Sequence, residues 1–186
     1  FTYKINFFKR SKTIRYYFDL QLQGADPIQN LYNFFRDFRN DVYSDYFSYF
    51  NQKDNEGKNK FIGTNKPTIL LFDNELETSK PLKKFMNGIQ KNSEIDKLKK
   101  ELKLELQPNV FVMTHPLTGQ KKECELEDLF SDKVLSTVKN GKTFSRDGGS
   151  EFYGKNIFSK HVLANYKSID FSNFIPLLDM IDKLNM

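Results

Sequence analysis

The sequence predicts an α/β fold, and three observations carry that prediction. Pro67-Thr68-Ile69-Leu70-Leu71-Phe72 is an apolar, β-compatible run that opens on a proline and stops abruptly at Asp73 and Glu75. That is the pattern of a strand covered on both faces. Val110 to Thr114 is a second run of the same kind. Around both, apolar residues recur at helical spacing, and alternation of strands with helices argues for α/β.

Taken in order, Tyr3 to Phe8 and Arg15 to Leu22 have strand character, and Gly24 ends the second. Asp26 offers an N-cap and Pro27 a first-turn proline. Ile28, Leu31, Phe34, Phe35, Phe38 and Val42 then follow at helical spacing, predicting a helix over 27–40. Polar residues 52–65, with Gly57 and Gly63, read as a surface loop before the strand 67–72. Ser79 and Pro81 open the next helix, whose stripe is Leu82, Phe85, Met86 and Ile89. The charged segment with Leu98, Leu102 and Leu106 reads as helical too. After the strand 110–114, Pro116, Thr118 and Gly119 make a turn, and a helix begins near Glu125 to Phe130. Residues 141–149 read as loop, and helices are predicted over 152–163 and 174–184, the latter with Asp170 and Ser172 as caps.

Composition narrows the function classes. A chain of 186 residues buries one core, and residues 1–186 read as a single domain. Lys and Arg number 29 against 24 Asp and Glu, a net charge of +5, which favours a polyanionic partner. No apolar run approaches the roughly 20 residues that cross a bilayer, so no membrane partner is expected. Cys124, the only cysteine, excludes an internal disulfide framework and suits a cytoplasmic setting. The chain starts at Phe1 without a tripartite leader and reads as a piece of something longer. Walker, Rossmann, His-x-x-x-His and Gly-x-Ser-x-Gly motifs are absent, which removes several large enzyme classes.

The chemistry-bearing residues are few. Ligands in open α/β sheets gather at the carboxyl ends of strands, where Asp73 and Glu75 sit. On an extended segment residues i and i+2 point the same way, so the pair can share one hard cation, Mg²⁺ or Mn²⁺. A solvated acidic turn gives the same pattern. Glu125, Glu127 and Asp128 suit either a site or the dipole of a first helical turn. His115 ends a strand and reaches toward the acidic cluster or serves the structure; His161 lies far off in sequence. Lys155 opens a predicted helix, where a cation opposes the dipole unless it serves a phosphate.

Four segments, taken together, resemble a known family: the TOPRIM-like domain at the C-terminus of certain retron reverse transcriptases. Tyr17 to Asp26 (Tyr-Phe-Asp-Leu-Gln-Leu-Gln-Gly-Ala-Asp) is similar to its Leu- and Gly-rich turn before a helix. Pro67 to Glu75 resembles its strand ending in Asp-x-Asp. Glu125-Leu126-Glu127-Asp128-Leu129-Phe130, followed by Gly141-Lys142-Thr143-Phe144, resembles its Glu-Asp-Leu-Phe and Gly-Lys-x-Phe. Tyr153-Gly154-Lys155 with Ile157-Phe158, then Ile169-Asp170-Phe171 and Phe174, resembles its closing helices.

The resemblance implies a compact, mainly parallel sheet flanked by helices, and a metal-dependent nuclease effector domain. The reverse transcriptase domain would precede it in cis. In antiviral defence, the retron's RNA-linked DNA would hold the domain inactive until phage infection. Asp73 and Glu75 would hold Mg²⁺ or Mn²⁺, Glu127 and Asp128 would be the third acidic position, and Lys155 would meet phosphate; Asp73, Glu75, Glu127 and Lys155 would carry catalysis on DNA or RNA. Two departures stand out. The family's first Glu-Gly pair has no match, Gln23-Gly24 belonging to a later turn, which puts the pair and the family's first strand upstream of Phe1. Glu75 also stands where the family has Asp, one methylene longer. These departures leave open the alternative of a catalytically degenerate module that binds nucleic acid or protein.

Overall fold

A computed structural model of the chain describes residues 67–76 and 80–184, together with Lys12, residues 28–32 and short pieces at 52–53, 55–56 and 59–60. The predicted strands 3–8 and 15–22 and most of the 27–40 helix lie outside the described residues. Residues 28–32 are helical, and Tyr32 is buried in the main core with Ile28 and Leu31 against it. Inside the predicted polar loop, β1 (Gln52–Lys53) and β2 (Asn59–Lys60) form a small antiparallel ladder.

The main sheet joins β3 (Thr68–Phe72), β4 (Lys103–Gln107) and β5 (Val110–Thr114) in the order β3-β5-β4. β3 and β5 run parallel, in register from Thr68 opposite Val110 to Phe72 opposite Thr114. β4 is antiparallel to β5, with a register shift between Glu105 and Gln107. Pro67 suits its place at the start of β3, where a missing N–H costs no interior ladder bond. The fold is mixed α/β, as the apolar runs predict.

Helix α1 (Pro81–Gly88) starts with proline at its first turn and sends Leu82, Phe85 and Met86 into the core, the stripe the spacing predicts. Phe85 is fully buried, its ring 4.9 Å from that of Phe72 and 5.6 Å from that of Tyr32. Helix α2 (Ile95–Glu101) ends where Leu102 adopts a left-handed conformation, φ 57°, and donates its N–H to the Leu98 carbonyl. Here the structure corrects the sequence: Leu102 is past the helix and Leu106 lies in β4. Spacing by four fits a helical stripe but is also an even number, so it equally fits one face of a strand.

The rest of the described chain builds a second, aromatic core. A 3₁₀ turn (Leu126–Leu129) leads through α3 (Asp132–Leu135) to β6 (Thr143–Phe144), which pairs in parallel with β7 (Phe152–Tyr153). The predicted helix at Phe152 therefore starts later, as α4 (Lys155–Asn165), with Gly154 extended at its N-cap. Asp170 Oδ1 accepts the Ser172 N–H at 2.8 Å before a 3₁₀ turn and α5 (Ile175–Leu184). Val134, Tyr153 and Phe158 are buried together, and Phe130 meets the rings of Phe158, Phe171 and Phe174 edge-on. Most of the phenylalanines among the described residues take part in such contacts, which add about 1 kcal/mol each beyond burial. Among the described residues no helix is long and apolar enough to cross a membrane.

Candidate functional site

The parallel pairing of β3 with β5 puts Asp73 and His115 side by side, each one residue past the last registered pair, Phe72 and Thr114. Asn74 fixes the crossing of three segments. It exchanges backbone hydrogen bonds with Cys124, 2.9 and 3.0 Å, and its buried side-chain amide donates to the His115 carbonyl at 2.8 Å. The sequence offered no signal for this residue beyond its place between two carboxylates.

The Glu75 N–H donates back to the Asp73 carbonyl at 3.0 Å, a three-residue turn that interrupts the extended alternation. The two carboxylates accordingly have separate partners. Glu75 is buried and pairs with Lys80 at 3.1 Å. Asp73 keeps its side chain 39% exposed and accepts the Leu126 N–H on Oδ1 at 2.9 Å. That bond, spanning the fold, brings the predicted acidic turn to the strand end. Burial works to raise the Asp73 carboxyl, while the Leu126 N–H and the Lys155 ammonium work to lower it.

Glu125 and Asp128 form a reciprocal capping box on the 3₁₀ turn, each side chain accepting the other's backbone N–H. Their remaining oxygens face cations. Lys121 lies 2.6 Å from Asp128, and Arg146 bridges Asp128 and Glu125. Lys155 reaches Glu125 at 3.0 Å and Glu127 at 3.2 Å. This explains a cation in the first turn of α4, where the helix dipole alone disfavours it. Sequence reasoning missed Lys121 and Arg146 because a charge in a loop carries no periodicity.

Asp73, Glu125, Glu127, Asp128 and Lys155 are thus joined in one cluster with His115, Lys121 and Arg146, whereas Glu75 turns to Lys80. Among the described residues no three or more His, Cys, Asp or Glu side chains are grouped to hold a metal ion. Two protein ligands nonetheless suffice for a divalent ion that keeps water and substrate oxygens as the others. The donors at the strand end fit that demand: Asp73 has no Lys or Arg pair among the described residues, and the buried His115 Nε2 has no hydrogen-bond partner and faces it. Beside the cluster runs a groove of about 370 Å³ whose walls include Glu127, Lys155, Phe130, Phe158, Tyr166 and Phe171.

Asp128, with its side chain only 6% exposed, ties the acidic turn together. Burial raises its carboxyl, but Lys121, the Glu125 N–H and Arg146 outweigh that and hold it below the usual range. Asp128→Ala should cost about 2 kcal/mol through the lost cap and hydrogen bonds. Because the folded-state pKa is depressed, this contribution is complete above about pH 4 and disappears as pH falls through the folded value. Urea titrations of wild type and variant should therefore differ at pH 7 and converge below pH 4; a constant gap would refute the assignment.

No protein-family model matches the chain, and no solved structure matches it.

Proposed function

We propose that this chain is a TOPRIM-like nuclease domain of a retron-type reverse transcriptase fusion, hydrolysing phosphodiester bonds in nucleic acid with Mg²⁺ or Mn²⁺ in anti-phage defence. The observation that carries this reading is the meeting of the Asp73 carboxylate, at the carboxyl end of the parallel strand β3, with the Glu125 to Asp128 turn and the Lys155 ammonium. Of the cluster's carboxylates Asp73 is the most exposed, and Glu127 and Asp128 lie in the adjoining turn. A bound divalent ion would draw charge from the phosphate oxygens and acidify a water.

The side chains supply the rest. Lys155 has its proton held more tightly than usual by Glu125 and Glu127, which outweigh desolvation, so it stays charged at neutral pH. With its side chain 43% exposed, its ion pairs are weak and exchange readily for a phosphate oxygen. Lys155 also edges the aromatic groove, and charge for phosphate beside rings for bases is the combination that single-stranded nucleic acid uses. The net positive charge of the chain acts in the same direction.

The second reading, a degenerate binding module, is favoured by one observation: Glu75, Glu125, Glu127 and Asp128 already face lysine or arginine. Cleavage assays on the full-length fusion separate the two. The nuclease reading expects fragments from labelled DNA or RNA with Mg²⁺ or Mn²⁺ and none with a chelator. Binding that weakens steeply with salt, ignores the chelator and never produces fragments would establish the module instead.

A further inference from the structure

We propose that His115 is a metal ligand, its Nε2 binding the divalent cation together with the Asp73 carboxylate. The inference rests on the reading of Asp73 as a metal site. It starts from the imidazole itself, which is 1% exposed and held at the end of β5. Nδ1 lies 3.1 Å from the Pro116 carbonyl oxygen, which can only accept, so Nδ1 carries the hydrogen. Nε2 of the neutral ring is then a bare lone pair.

That lone pair has no hydrogen-bond partner among the described residues and lies 3.7 Å from Asp73 Oδ1. Two acceptors facing each other repel, and a buried nitrogen without a partner is costly. A cation between them removes both penalties. With metal–ligand distances of about 2.1 Å, an N and an O ligand lie about 3.0 Å apart at a right angle and about 4.2 Å apart when opposed. The observed 3.7 Å falls within that interval.

The surroundings are those of a ligating histidine. Metal-bound imidazoles ordinarily donate their other N–H to a carbonyl or carboxylate, the role the Pro116 carbonyl fills here. The Asn74 amide pins the His115 backbone at 2.8 Å, and the half-exposed Asp73 leaves an approach from solvent. An imidazole donor selects Mn²⁺ or Co²⁺ over Mg²⁺, since nitrogen ligands follow the borderline metals and Mg²⁺ prefers oxygen.

Electron paramagnetic resonance of the full chain titrated with Mn²⁺ tests this without reference to cleavage. Wild type should bind Mn²⁺ and show nitrogen modulation of the echo from a directly bonded ¹⁴N. Incorporating ¹⁵N-histidine should shift that modulation with no substitution made, and His161→Gln, removing the other histidine, should leave it unchanged. His115→Gln should abolish it and weaken Mn²⁺ binding on the order of 10-fold or more. Mn²⁺ bound at Asp73 without nitrogen modulation would overturn the role of His115 alone. No Mn²⁺ binding to wild type would overturn both this role and the metal reading beneath it.

Discussion

Asp73→Asn should abolish metal-dependent cleavage, by roughly 10²-fold or more, while leaving the protein as stable as wild type or slightly more stable. The two halves of this expectation come from the same geometry. The amide is neutral, so it loses the charge that would draw a divalent ion to the end of β3. Its oxygen can still accept the Leu126 N–H that Asp73 takes at 2.9 Å, so the acidic turn stays docked. The oxygen that keeps this bond is the same Oδ1 that lies 3.7 Å from the unpartnered His115 Nε2, and in the amide it no longer carries the carboxylate charge. The substitution thus weakens a repulsive contact without losing the docking bond, a change of up to about 1 kcal/mol. Groups arranged for function often carry such a stability cost. Thermal or urea unfolding beside a cleavage assay checks both halves. Wild-type cleavage by the folded variant would remove Asp73 from the site, and a large loss of stability would refute the assigned tautomer of His115.

What the sequence revealed follows from how local each signal is. β3, β5 and the α1 stripe are legible because several consecutive or regularly spaced apolar residues report one buried face. β4 was masked, since Leu98, Leu102 and Leu106 repeat at an interval common to helix and strand, and only the left-handed Leu102 marks the break. β6 and β7, at two residues each, are too short to have a period. The site divides in the same way. The acidic turn was visible as a cluster, and Glu125 with Asp128 has the three-residue spacing of a capping box. Its docking on Asp73 depends on a hydrogen bond between residues 53 apart, and the Arg146 pairs depend on a loop returning to the turn, neither of which leaves a local pattern. The misplaced cation at Lys155 did leave one, as a conflict with the helix dipole that only a nearby anion resolves.

Phe85→Ala should destabilise the fold by about 3–5 kcal/mol, a large share of the 5–15 kcal/mol that holds a typical domain together. Phe85 has no exposed surface, so its neighbours cannot swing outward to fill the void without exposing themselves. It also links separate pieces of structure. From α1 its ring touches Tyr32 of the helical residues 28–32 and Phe72 of β3, and the aromatic contacts are lost along with the apolar burial. Because Phe72 is the residue before Asp73, the cavity would open directly beneath the candidate site and loosen the strand end that positions it. Urea unfolding should show a lower midpoint with an unchanged slope. Leu163→Ala provides the contrast. That side chain is larger than alanine and apolar too, but at 74% exposure it should cost no more than about 0.5 kcal/mol. Comparable losses at Phe85 and Leu163 would mean that the main core is not built around α1 and β3. A loss at Phe85 accompanied by a changed slope would mean that the variant's unfolded or folded state had itself changed compactness.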